Sequence, residues 1–132
     1  QKNKLFNPRV TVVQTGTSIS FPNEDSVRHH VYSFSPAKKF ELKLYAGIPA
    51  DPVLFGQAGL VTLGCNIHDS MVGYIYIVDT PFFAKTDDKG KAVVKLSEGQ
   101  YSYQVWLPGV NKPVAEQKVK IEGATEVKVS IP

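Results

Sequence analysis

Leu60-Val61-Thr62-Leu63-Gly64-Cys65-Asn66-Ile67-His68-Asp69-Ser70-Met71-Val72-Gly73-Tyr74-Ile75-Tyr76-Ile77-Val78 is the stretch that decides how this chain reads. Two β-prone runs, Leu60–Leu63 and Val72–Val78, flank a short polar segment. The second run is too rich in β-branched and aromatic residues to read as a helix. Between the runs stands C-x-x-H-x-x-M, which uses the chain's only cysteine and its only methionine. A thiolate, an imidazole and a thioether so closely spaced form a soft ligand set. One more imidazole completes the His₂Cys trigonal set with a weak axial Met that serves copper electron transfer. The only other histidines, His29 and His30, are adjacent, so the sequence leaves two ways to complete it.

Outward from this stretch, strand signals dominate. Val10–Val13 and Ser18–Phe21 read as strands around a turn containing Gly16, and Pro22–Ser26 is turn chemistry. Val31–Phe34 is β-prone, and Phe40-Glu41-Leu42-Lys43-Leu44 alternates apolar and polar as a half-buried strand does. Residues 46–59 carry Gly47, Pro49, Pro52, Gly56 and Gly59 and read as a loop with a short Val53–Phe55 segment. Beyond Pro81, the run Asp87-Asp88-Lys89-Gly90 predicts a hairpin turn between short strands. Lys91–Leu96, Tyr101–Trp106, Glu116–Ile121 and Glu126–Ile131 all read as strands. No convincing helix is found, so the chain is all-β, and its turn spacing favours a sandwich. Pro81 is the natural seam, dividing a copper-site domain of residues 1–80 from a β extension or small β unit of residues 81–132.

Composition narrows the function classes. The 132 residues are 42% hydrophobic and 20% charged, enough for a real core and against disorder. Fifteen basic and twelve acidic residues give a net charge of +3 with interspersed signs. No Lys/Arg run is interleaved with stacking aromatics, so nucleic acid is not an expected partner. No apolar run is long enough for a transmembrane helix. Gln1-Lys2-Asn3-Lys4 leads straight towards the first strand without a legible export signal, as in a trimmed chain. One cysteine cannot close an internal disulfide, and in an oxidising compartment a lone thiol is ordinarily buried or ligated.

Each candidate residue has an ordinary reading beside the metal one. A lone Cys is commonly a small buried hydrophobe and a lone Met a core filler. His68 reads equally as a surface residue, and His29-His30 as an exposed pair. Zinc is the rival metal, with Asp69 replacing Met71 in the set, although zinc seldom uses Met. Cys65 as a nucleophile with His68 as its base lacks any arguable oxyanion donors, and redox sensing lacks a resolving cysteine. Asp87-Asp88 serve their turn, while Tyr101 and Trp106 read as packing residues. Each ordinary reading is the better one for its residue alone, but the four residues together, with the spacing and the strand context right, favour the metal reading.

Three segments carry a family resemblance. They are Phe21-Pro22-Asn23-Glu24-Asp25 through His29-His30-Val31-Tyr32-Ser33-Phe34-Ser35-Pro36, then Gly64-Cys65-Asn66-Ile67-His68-Asp69-Ser70-Met71, then Tyr74–Pro81. Together they resemble the cupredoxins, the type 1 blue copper proteins, in their plastocyanin-like, amicyanin-like and methylamine-utilisation forms. The resemblance spans roughly residues 5–81, and its short Cys-to-Met spacing is similar to that of amicyanins. Residues Thr86–Trp106 look more like a carboxypeptidase-regulatory or transthyretin-like β segment. The resemblance implies a cupredoxin-like Greek-key β-sandwich with a C-terminal β extension. It implies one type 1 copper ion, with His29, Cys65 and His68 equatorial and Met71 axial, and electron transport rather than enzymatic catalysis. His30 stands where the family usually has Asn. Its backbone N–H and the side chain of Asn66 are the expected outer supports of the ligands. A redox protein docking near His68, beside Ile48, Pro49 and Ile67, is the implied partner, and the periplasm or another exported location the implied compartment. The sequence does not fix the oligomeric state. The alternative function is a copper-handling module for storage, delivery or sensing, and a third is a structural β domain whose metal site has decayed.

Overall fold

The fold comes from a computed structural model that describes residues 1, 5–6, 8–25, 29–45, 47, 51–65, 71–108 and 116–127, with backbone alone at 29 and 43–45. Among these residues there is no helix. The strands are β1 (Val10–Gln14), β2 (Thr17–Ile19), β3 (His29–Ser33), β4 (Phe40–Tyr45), β5 (Val53–Phe55), β6 (Gly59–Cys65), β7 (Val72–Val78), β8 (Gly99–Tyr103) and β9 (Gln117–Ile121). The expected all-β class is therefore what the chain adopts. The chain divides into two compact units, Gln1–Lys85 and Thr86–Pro132.

In the first unit a five-stranded sheet runs in the order β1-β7-β6-β3-β4. β1 lies parallel to β7, and the other neighbours are antiparallel. β2 and β5 form a separate antiparallel pair. The turn after β1 carries the chain from one sheet to the other. Thr15 N–H donates to Val78 O at 3.0 Å, and the next amide, Gly16 N–H, donates to Phe55 O at 2.8 Å. Gly16 has φ of 89°, a conformation that side-chain-bearing residues rarely adopt. The turn read from the sequence is thus present, but its two flanking strands belong to different sheets.

Alternation sets the core. Val61, Leu63 and Cys65 on β6, and Ile75 and Ile77 on β7, turn to one face and are buried. Val31 on β3 and Phe55 on β5 join them, with Phe6, Phe21 and Met71. Ile19 and Val53, from the β2–β5 pair, pack against this cluster. Phe21, Phe40 and Phe55 meet with ring centroids 5.7–6.3 Å apart, two of the three contacts edge-on, an arrangement favourable beyond area burial. Two β layers enclosing one apolar core make this unit a sandwich.

In the second unit β8 and β9 form an antiparallel pair, with Tyr101 opposite Val119 and Ser102 opposite Lys118. Tyr101, Tyr103, Val119 and Ile121 share a half-buried face, while Lys118 and Lys120 are exposed on the other. Strand alternation thus puts the two lysines on the wet face. The Asp87 turn also forms: Asp87 Oδ1 accepts from Lys89 N–H and Lys91 N–H, both at 2.9 Å. Lys91–Leu96, however, is not a strand, and Val93 is 82% exposed. A strand exists through its ladder, and no described strand pairs with this segment. The strand expected over Tyr101–Trp106 ends at Tyr103, and Glu126–Val127 lie outside any strand. The remainder of that last expected strand falls outside the described residues.

Candidate metal centre

Cys65 is the final residue of β6 and is 1% exposed. The β6–β7 ladder runs from Gly59↔Ile77 to Gly64↔Val72. Directly beyond that last pair stand Cys65 and Met71, and Met71 is 0% exposed and belongs to the same buried cluster. In the sequence His68 stands three positions from each sulfur-bearing residue, within residues 66–70 that lie outside the described ones. A thiol and a thioether are thus held at the end of a regular ladder, on the side facing the core.

The two adjacent histidines separate through the strand they share. Both lie in β3, where Val31 pairs with Cys65 and Tyr32 with Gly64. The β3–β4 register shifts between His29↔Tyr45 and Val31↔Leu42, which places two β4 residues, Lys43 and Leu44, opposite His30 alone. The extra residue lies on β4, so the alternation of β3 continues. His29 therefore occupies a backbone position in phase with buried Val31 and Ser33, the face to which Cys65 belongs. His30 is in phase with Tyr32. Its ring meets Tyr32 edge-on at 6.1 Å, and its Nε2 lies 3.6 Å from Glu41 Oε1. A strand cannot send both neighbours to the sulfur face.

The backbone around the expected ligands is well tied. Asn23 is buried, exchanges backbone hydrogen bonds with Gly47 at 2.7 and 3.2 Å, and accepts from Asp25 N–H through Oδ1 at 2.9 Å. This joins the segment entering β3 to the exit of β4. Buried Ser33 Oγ donates to Lys38 O at 2.7 Å and accepts from Ser35 N–H at 3.1 Å. These bonds satisfy polar groups that burial would otherwise penalise.

Of the expected site residues, Cys65 and Met71 are brought together, and the His29 backbone shares their face. His68 and Asn66 lie outside the described residues, as do Ile48, Pro49 and Ile67 of the expected docking patch. Among the described residues no three His, Cys, Asp or Glu side chains gather; the side chains of His29 and His68 are not among those described. The donors that are described fit copper, since a buried thiol and thioether are the soft ligands it favours. Sequence reasoning missed the neighbours of the glycines at this end. A Cβ on Gly73 would sit 3.0 Å from Phe6 Cβ and Cγ, and one on Gly64 would sit 2.6 Å from Tyr32 Cζ. A glycine inside a strand next to the cysteine was the available signal.

No family model and no curated protein matches the chain by sequence. Solved structures do match it. A reduced amicyanin variant superposes with a TM-score of 0.52 at 17% identity, over 59% of this chain and 77% of that one. A purple cupredoxin from Nitrosopumilus maritimus gives 0.51 at 21% identity, over 59% and 86%. A copper-containing nitrite reductase from Thermus scotoductus SA-01 gives 0.53 at 23% identity, over 58% of this chain and 20% of the enzyme. The buried hairpin end, the two β layers and these likenesses together identify the fold: it is the cupredoxin-like β-sandwich.

Proposed function

We propose that this chain is an electron carrier with a mononuclear type 1 copper site, which His29, Cys65, His68 and Met71 would hold. The observation that supports this reading is that Cys65, the last residue of β6, and Met71, just before β7, are both buried in one cluster beside the last ladder pair, Gly64↔Val72. A bound copper ion would supply a one-electron Cu(II)/Cu(I) couple. The protein's part is to hold its donors in one arrangement, so that little needs to move when the electron arrives or leaves. Cys65 is paired to β3 through Val31, and the residue before it, Gly64, is paired to both β3 and β7. Met71, on the far side of the hairpin, keeps the thioether away from water. Asn66 and the His30 backbone N–H are the proposed outer supports of the thiolate and its loop.

The competing reading, a copper-handling module, would gain from His30 as a spare donor. The place of His30 beside Tyr32 and Glu41, in phase with the opposite face, favours the carrier. The proposed partner is a redox protein meeting the surface near His68, where a small interface is enough for a transient encounter. We further propose an exported location, in which burial and ligation keep the lone thiol from oxidation. No helix among the described residues is long and apolar enough to cross a membrane.

The test is the visible and paramagnetic-resonance spectrum of the protein loaded with one equivalent of Cu(II). A strong thiolate-to-copper band that disappears in Cys65→Ser is the expected result. Stoichiometric copper bound without such a band would sink the proposal. Tight Cu(I) binding with no reversible oxidised state would favour the handling module instead.

A further inference from the structure

We propose that Tyr32 is a positioning residue for Cys65, acting from the outer face of the sheet; the metal-dependent part of this inference rests on the copper reading above. Tyr32 pairs directly with Gly64, one ladder step from the Val31↔Cys65 pair. Its ring lies across the Gly64 backbone, occupying the space a side chain would take. A Cβ at position 64 would be 2.6 Å from Tyr32 Cζ and 2.7 Å from its hydroxyl oxygen. A side chain immediately before the cysteine would therefore have to displace the far end of the Tyr32 ring.

The consequence follows from where β6 ends. Cys65 is the last residue of the strand, and strand ends open more readily than strand centres. The core packs against Cys65 from the inner face. The three heavy atoms nearest to a Cβ at position 64 all belong to its ladder partner, Tyr32. Tyr32 is held in turn, by an edge contact from the His30 ring at 6.1 Å and a tilted contact with Phe34 at 5.1 Å. Phe34 is 74% exposed, so the ring row runs out to solvent. Tyr32 and Phe34 also wall an open cleft of about 340 Å³ whose lining includes Leu63, Gly64 and Met71. Removing the ring would widen this cleft beside Met71 and beside the Gly64 backbone that leads into Cys65. The ring thus fixes the backbone that carries the thiolate and limits the approach of water to the sulfur pair.

The experiment reads the thiol first, without metal. Reaction of Cys65 with an aromatic disulfide reagent should be slow in the unaltered protein and about tenfold faster in Tyr32→Ala, because local opening governs access to a buried thiol. Tyr32→Phe keeps the ring and should react like the unaltered protein. Gly64→Ala forces the ring aside and should behave like Tyr32→Ala. In Tyr32→Ala/Gly64→Ala, where the new Cβ has room, the effect should be smaller than the two single effects combined. If Tyr32→Ala does not fold, Tyr32→Leu, which keeps apolar bulk without a flat ring, is read in its place. In the copper-loaded protein the ring-less variant should show a shifted thiolate band. Its reduction potential should be lower, since a wetter site favours the more highly charged oxidised form. Thiol reactivity, band and potential all unchanged in the ring-less variant would overturn the proposal, even if overall stability fell. A missing copper band in the unaltered protein would overturn the metal reading instead, and the metal-free thiol rates would still decide the role of Tyr32.

Discussion

The two faces of the five-stranded sheet are built from the same strands and from similar residues, yet only one is dry. On the inner face Val31, Ser33, Val61, Leu63, Cys65, Gly73, Ile75 and Ile77 are all buried. On the outer face Tyr32, Gly64, Tyr74 and Tyr76 are half-buried, while Phe34, Thr62 and Val72 are exposed. Apolar character does not separate these sets. What separates them is a second layer: the β2–β5 pair, Phe6 and Phe21 all add to the inner cluster. The outer face is covered along the sheet instead, by Tyr32 against Phe34 and by the Arg9 guanidinium 5.7 Å from the Tyr74 ring centroid. A dry face can keep a thiol and a thioether as ligands, and a half-wet face of rings can brace the backbone behind them.

The largest expected effect tests whether the faces divide the two adjacent histidines as the alternation implies. His29→Ala should abolish the thiolate-to-copper band, because it removes an equatorial donor. His30→Ala should keep the band, although it takes away a ring that touches Tyr32. The opposite outcome in the copper-loaded spectra would break the comparison outright, since it would place the ligand on the outer face. A smaller effect tests energetics on paired central strands. Ile75→Ala, on the inner face, should cost about 2–5 kcal/mol in a urea titration, the transfer term plus the cavity left behind. Thr62→Val, on the outer face of β6, should fall within about 0.5 kcal/mol, as surface substitutions do. Comparable losses at both positions would mean that the outer face is packed as tightly as the inner.

Much of this was legible in the sequence, for reasons that also explain what was not. Strand class could be read because β-branched and aromatic runs alternate over Phe40–Leu44 and Val72–Val78, and alternation is a local property. The Cys-to-Met hairpin could be read because both of its strands adjoin the motif. Pairing at a distance could not. Nothing local shows that β1 lies parallel to β7 or that Thr17–Ile19 leaves its neighbour for Val53–Phe55. Lys91–Leu96 has the texture of a strand without a described partner, so propensity alone misleads there. At the site, C-x-x-H-x-x-M marked the candidate donors, and for the proposed choice of His29 over His30 the β3–β6 ladder adds a physical argument to the family register. Tyr32 was the hidden element. Its role depends on a cross-strand pairing with Gly64, more than thirty positions away.

The smallest expected effect asks whether the inner face is complete without the second unit. Every residue of the buried cluster, and every partly buried residue packed on it, lies at or before Ile77. Among the described residues of Thr86–Pro132 none is buried, and β8 and β9 make a two-stranded pair of the kind that is marginal in water by itself. We therefore propose that the sandwich and its site belong to the first unit, which has its own core and so meets the physical requirement for folding independently. A chain ending at Lys85 should unfold cooperatively, with a stability within about 1 kcal/mol of the full chain, the scale of an ordinary single substitution. Its Cys65 thiol should stay as slow to react as in the full chain, and its copper band should keep its position. A truncated chain that is unfolded, or whose thiol reacts at the rate of a free cysteine, would show that the dry face needs cover from beyond Lys85. The contrast between the faces would then depend on the whole chain and not on one sheet and the layer that meets it.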